Sequence, residues 1–212
     1  MNDIYKMIEG VFPNTEILLI YYGGSIAYGL DDESSDKDIT VVLAGFKGTI
    51  HLYIGTYDFF VFSKEEFIKR QKFDETVIPY YKQAADSLLG FKDKAHYIAP
   101  SFEIEVNELL GFVDETFIVN HLSAVIEYIK TRFINSSISK IHYHVFRVRG
   151  MLDHYEKTGK YELVVEEPWY SKMMEFKKNW DNEIAENYIE EIKEQLVYLE
   201  NYRNEMMKSG LG

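Results

Sequence analysis

Hydrophobic residues change their spacing about halfway along this chain of 212 residues, and the change limits which folds it can adopt. Up to about Pro100, apolar residues come in short runs bounded by glycines and other turn residues, which is typical of strands. Beyond that point they recur every three or four residues over long stretches, which is typical of helices. The sequence therefore predicts an α/β domain over residues 1–100 followed by an all-α domain over residues 101–212.

The first half predicts four strands, over residues 17–22, 38–43, 50–54 and 57–62. The first is a continuous apolar run that ends at Gly23, a pattern typical of a strand buried on both faces. The last two are predicted to form a hairpin at Gly55-Thr56. One helix is expected over residues 4–11 and another directly after Ser63, which would cap it with Glu66 in the capping-box position.

The second half predicts four helices, over residues 117–135, 137–155, 167–179 and 183–208. The second of these has apolar residues at the spacing of a single buried face, namely Ile141, Val145, Val148, Leu152 and Tyr155. Thr158-Gly159 is expected to end that helix, and residues 161–164 to form a short extended bridge.

Composition excludes several classes of protein. The formal net charge of −12 excludes a generally basic nucleic-acid-binding surface. The absence of cysteine excludes a disulfide framework, a thiolate zinc site and a cysteine nucleophile. No apolar run is long enough for a membrane span, and Met1–Lys6 does not begin a signal peptide. We therefore expect a cytoplasmic protein without a membrane partner.

Positive charge is concentrated in one segment. Residues 1–127 carry a formal charge of −11, whereas residues 128–160 carry +5. A positive segment within an acidic protein indicates a local anionic partner, such as phosphate.

The stretch from Gly23 to Asp38 contains the chemically informative residues. It does not match a Walker phosphate loop, because Gly29 is followed by leucine rather than by lysine and a hydroxyl residue. An EF-hand beginning at Asp31 would need glycine at its sixth position, where Asp36 stands. The stretch also lacks the middle glycine of the dinucleotide-binding fingerprint. These three common ligand-binding loops are therefore excluded.

Acidic side chains follow a glycine-rich strand end. The first strand leads into two glycines and Ser25, whose backbone could face a phosphate or whose hydroxyl could cap a short helix. Asp36 and Asp38 have the spacing that places two carboxylates on one strand face, with Lys37 on the other. Asp58 opens a later strand. Converging carboxylates need a cation between them, which predicts a Mg²⁺ site.

These residues resemble the DNA polymerase β-like nucleotidyltransferase superfamily, whose pattern is Gly-Ser, a short helix, Asp-x-Asp and a third aspartate. The chain is most similar to a bacterial and phage branch with Gly-Ser-x-Ala-Tyr-Gly-Leu followed by Ser-Asp-x-Asp. Residues 24–30 and 35–38 match these two motifs. The resemblance implies a small mixed sheet with flanking helices, then a helical domain that closes the nucleotide cleft. Ile26 departs from the branch, which often has arginine there.

The resemblance also implies roles for individual residues. Catalysis and metal binding would fall to Asp36, Asp38 and Asp58. Nucleotide binding would fall to Gly24, Ser25, Lys140, His144, Arg147 and Lys177.

The implied reaction is metal-dependent transfer of a nucleoside monophosphate from an NTP, with ATP favoured, to an acceptor hydroxyl with release of pyrophosphate. Two Mg²⁺ ions are implied, with Mn²⁺ as a substitute, and the acceptor could be RNA, protein or a small molecule. An antibiotic- or toxin-modifying nucleotidyltransferase stays open, as does a non-catalytic nucleotide-binding module of the same fold. The presence of all three carboxylates favours an enzyme.

Overall fold

The computed structural model describes residues 2–31, 33, 35–71, 89, 95–110, 113–135, 138–178 and 188–209. The chain divides into two compact units, Met1–Phe112 and Val113–Gly212. The first unit contains a mixed five-stranded sheet with helices, and the described regular structure of the second is helical. The prediction of an α/β part followed by a helical part is confirmed at this level. No helix among the described residues is long and apolar enough to cross a membrane.

The described elements of the first unit are α1 (Asn2–Val11), β1 (Glu16–Tyr22), α2 (Gly24–Ala27), β2 (Lys37–Ala44), β3 (Thr49–Ile54), β4 (Tyr57–Ser63), α3 (Lys64–Gln71), β5 (Ala95–Ile98) and α4 (Glu103–Leu110). The four predicted strands are confirmed to within one residue at each end. The predicted cap is also present, since the Glu66 backbone N–H donates to Ser63 Oγ at 3.2 Å. The short strand β5, which pairs with β1, was not predicted. The unit that contains the sheet also extends past the predicted boundary at Pro100 and includes α4.

The sheet has the strand order β3-β4-β2-β1-β5. β3 and β4 form the predicted hairpin, and β4 lies between β3 and β2. β2 and β4 are parallel, whereas the other neighbouring pairs are antiparallel. The hairpin therefore brings the start of β4 beside the start of β2.

One face of the sheet packs against α1, and we call it the apolar face. It is formed by side chains from β2 and β4 that are buried together with two from α1, namely Ile39, Val41, Leu43, Phe59, Val61, Ile4 and Ile8. The opposite face carries Asp38, Asp58 and His51, and we call it the acid-bearing face. Because side chains alternate along a strand, each of these strands contributes to both faces.

The described elements of the second unit are α5 (Glu115–Asn135), α6 (Ile138–Thr158), α7 (Trp169–Lys178) and α8 (Ile189–Ser209). Val145, Val148 and Leu152 of α6 are buried, as predicted, whereas Tyr155 is only partly buried. The side chain of Ile141 lies outside the described part of the chain. α7 packs on α6 through Trp169, whose Nε1 donates to Asp153 at 2.6 Å. The unit is thus held together by an apolar core and by partly buried polar contacts.

Candidate active site

Three neighbouring strands begin or end at the same end of the sheet. β1 ends at Tyr22 and leads into α2, while β2 and β4 begin at Lys37 and Tyr57. The Gly23 backbone N–H donates to the Asp38 carbonyl oxygen at 2.8 Å, which attaches the end of β1 to the start of β2. The glycine-rich segment and the start of both aspartate-bearing strands therefore meet at this end of the sheet.

Asp38 and Asp58 are direct partners on neighbouring parallel strands. Paired residues project to the same face of a sheet, and neighbouring strands lie about 4.8 Å apart. Lys37 belongs to the opposite face, where its Nζ lies 5.2 Å from the centre of the Tyr57 ring. Like charges on paired neighbours destabilise a sheet, so this pair of aspartates needs positive charge or hydrogen-bond donors nearby.

Gly24 is in close contact with the side chain of Asp38. A Cβ atom added at Gly24 would lie 1.7 Å from Asp38 Oδ2 and 2.7 Å from its Cγ, which is a direct overlap. Gly24 also has a φ of +53°, a conformation that favours glycine. The absence of a side chain at Gly24 is therefore what allows the Asp38 carboxylate to lie against the backbone.

The short helix α2 ends in a defined turn. The Leu30 N–H donates to the Ser25 carbonyl oxygen at 2.9 Å, and the Gly29 N–H donates to the Ile26 carbonyl oxygen at 3.2 Å. These two bonds form a Schellman motif, in which Gly29 takes a φ of +68° and Leu30 becomes fully buried. At the other end of α2 the cap position belongs to Gly23, so the alternative in which Ser25 caps this helix is wrong.

Asp36 lies one residue before β2 and is exposed. The expectation that Asp36 and Asp38 share one strand is therefore wrong by a single residue. Among the described residues, no three histidine, aspartate or glutamate side chains are arranged to hold a metal ion. The structure thus pairs Asp38 with Asp58, while the convergence of Asp36 on them stays a prediction.

His51 contacts Asp58 and was not predicted as a site residue. Its Nε2 and Asp58 Oδ1 form a hydrogen bond within ion-pair distance. The two-residue hairpin loop pairs Tyr53 with Asp58 and His51 with Phe60, so all four side chains belong to the acid-bearing face. The predicted hairpin could have placed His51 on the same face as Asp58, because the loop length determines the register of the two strands and the register determines the face of each side chain.

The four other predicted nucleotide-binding residues lie in the second unit. Lys140 is in α6 and Lys177 in α7, and for both residues only the backbone is described. His144 is half-buried, with its ring centre 5.2 Å from that of Tyr128. Arg147 is fully buried, which the helical pattern did not predict. The role of these residues in nucleotide binding stays a prediction.

No protein-family model matches the chain, and no curated protein matches its sequence.

Proposed function

We propose that this protein is a metal-dependent nucleotidyltransferase. It transfers a nucleoside monophosphate from an NTP, with ATP favoured, to an acceptor hydroxyl and releases pyrophosphate. The observation that carries this proposal is the pairing of Asp38 with Asp58, next to a glycine that contacts the Asp38 carboxylate. The motif at residues 24–30 and 35–38, which resembles that of the nucleotidyltransferases, supports it.

Two carboxylates at this end of the sheet are suitable ligands for Mg²⁺. Carboxylate oxygens are the ligands that Mg²⁺ prefers, and two carboxylates here belong to one face of neighbouring strands. The space that a Cβ of Gly24 would fill is taken by the Asp38 carboxylate. In this proposal Asp36, Asp38 and Asp58 hold two Mg²⁺ ions. Bound Mg²⁺ would neutralise the charge of the triphosphate and lower the pKa of the attacking hydroxyl.

In the proposed reaction, residues of the chain bind the nucleotide, orient the reacting groups and accept a proton. Gly24 and Ser25 hold the β- and γ-phosphates through the backbone. The acceptor oxygen forms a bond to the α-phosphorus while the bond from that phosphorus to the bridging oxygen of pyrophosphate breaks. The proton of the acceptor hydroxyl passes to the Asp58 carboxylate or to water. Positioning and charge stabilisation supply most of the rate in reactions of this kind.

Thermal unfolding with Mg²⁺ and ATP tests the metal site. At a ligand concentration a hundredfold above Kd, binding to the folded state should add about 2.7 kcal/mol to the free energy of unfolding. The Asp36→Asn/Asp38→Asn variant should stay folded and lose this increment. Asp31→Asn is the matched control, because it removes an exposed acid of the same segment that has no proposed role. Equal increments in the double variant and the wild type would refute the two-metal site.

Transfer of label from α-³²P-ATP tests the reaction and identifies the acceptor class. The wild-type protein is incubated with Mg²⁺ and, in separate reactions, with RNA, cell protein or small metabolites. We expect label on one of these classes and none with the Asp38→Asn variant. Stabilisation by Mg²⁺ and ATP without transfer to any class would instead favour a nucleotide-binding module.

A further inference from the structure

We propose that His51 is a positioning residue, which holds the Asp58 carboxylate in the orientation that the reaction needs. His51 takes this role only if the protein is the nucleotidyltransferase proposed above. His51 lies on the edge strand β3, and Asp58 lies on the neighbouring strand β4.

The direction of the hydrogen bond follows from the chemistry of the two groups. A carboxylate oxygen only accepts hydrogen bonds, so the His51 Nε2 carries the hydrogen and donates it to Asp58 Oδ1. The contact engages one of the two carboxylate oxygens. Because a carboxylate group is planar, fixing Oδ1 also fixes the direction in which Oδ2 points.

Aromatic rings hold the His51 ring in place. It stacks on Phe60, with a centre-to-centre distance of 4.4 Å and an angle of 13° between the ring planes. The Tyr53 ring lies against it at 4.6 Å and is tilted by 51°. A ring held by two neighbours loses little further freedom when it donates a hydrogen bond. His51 is therefore a preorganised donor rather than a mobile surface side chain.

The exposure of the two groups is consistent with a role at a site. The side chain of Asp58 is 18% exposed, so it can meet a ligand from solvent, and that of His51 is 41% exposed. An exposed hydrogen bond of this kind contributes little to folding stability. Its main effect is therefore expected on the geometry of Asp58.

Two substitutions separate the donor from the ring. His51→Phe keeps an aromatic ring to stack on Phe60 but removes the N–H group. His51→Gln keeps an N–H donor near the position of Nε2 but removes the ring. Thr49→Val is the control, because Thr49 lies on the same strand and the same face and is exposed. Thermal unfolding of each variant checks that it is folded.

Mn²⁺ binding is then measured by electron paramagnetic resonance with α,β-methylene-ATP present. Outer residues that orient a metal ligand typically contribute 10- to 100-fold in affinity, so His51→Phe should weaken the Asp58-dependent Mn²⁺ site by roughly tenfold or more. His51→Gln should recover part of this loss, and Thr49→Val should bind like the wild type.

Asp38→Asn separates failure of this role from failure of the proposed function. If Asp38→Asn weakens Mn²⁺ binding but His51→Phe does not, His51 has no positioning role and the nucleotidyltransferase proposal stands. Equal losses in His51→Phe and His51→Gln would also overturn the role, because the retained N–H group would have no effect. If Asp38→Asn binds Mn²⁺ like the wild type, the proposed function itself is wrong.

Discussion

The two faces of the sheet differ at the start of β2 and β4, although the same strands form both. On the apolar face, Ile39 and Phe59 are fully buried against α1 and the neighbouring strands. On the acid-bearing face, the preceding residues Asp38 and Asp58 are partly accessible and paired with each other. Adjacent residues of one strand thus belong to a hydrophobic core and to a candidate active site.

This difference shows how a small sheet separates stability from chemistry. Strand alternation sends successive side chains to opposite faces, so a strand held by its apolar residues can carry charged residues at no cost to that packing. The like-charge pair of Asp38 and Asp58 is then tolerated because buried residues stabilise both strands. These residues lie on the apolar face and, farther along the strands, on the acid-bearing face at Val42 and Phe62. We expect substitutions on the two faces to have separable effects.

The largest difference should appear between Phe59→Ala and Asp58→Asn. Phe59→Ala leaves a cavity in the apolar face and should lower the free energy of unfolding by about 3–5 kcal/mol. Asp58→Asn removes the like-charge repulsion with Asp38 but also weakens the exposed contact with His51, so it should change the free energy of unfolding by less than about 1 kcal/mol. Urea denaturation of both variants measures the two values. Similar losses would mean that the two faces do not have separate roles.

A second comparison uses two glycines with the same backbone conformation. Gly24 and Gly29 both have a positive φ, but an added Cβ would overlap Asp38 at Gly24 and would meet nothing within 4 Å at Gly29. Gly29→Ala should therefore cost only the backbone strain, about 1–2 kcal/mol. Gly24→Ala should cost more, because the Asp38 carboxylate must also move.

Only the Gly24→Ala variant should lose stabilisation by Mg²⁺ and ATP. Thermal unfolding with and without these ligands measures both effects in one experiment. If the two alanine variants behaved alike, the contact between Gly24 and Asp38 would have no role in the site.

The smallest expected effect is a loss of folding stability at alkaline pH, which arises from Tyr22 on the apolar face. Burial, and next the neighbouring Tyr57, raise the pKa of Tyr22 above its usual value of 10.0. The unfolded chain then loses this proton at lower pH than the folded protein does. Stability is therefore complete below pH 10 and decreases as the pH rises through the folded-state pKa. Tyr22→Phe should reduce this decrease, as measured by denaturation at pH 9 and pH 11, and an unchanged decrease would contradict the assignment.

Local patterns predicted the elements well, but they missed features that depend on pairing. The hydrophobic runs identified β1 to β4, and the capping residue Ser63 identified the start of α3. Strand β5 was missed because its four residues are only partly buried and do not form an apolar run. Arg147 was expected to bind phosphate, and its complete burial is a property of its surroundings that helical spacing does not report.

The sequence by itself determined the positions of strands and helices, the motif at residues 24–30 and 35–38, and the charge of each segment. These features depend on residues close together in the chain, whose spacing and turn chemistry act locally. Only the tertiary structure decided that β4 lies beside β2, that Asp38 pairs with Asp58, and that Gly24 must be glycine to admit the Asp38 carboxylate. Period-two alternation specifies the face of a side chain but not the neighbouring strand, because strand order depends on contacts between distant segments.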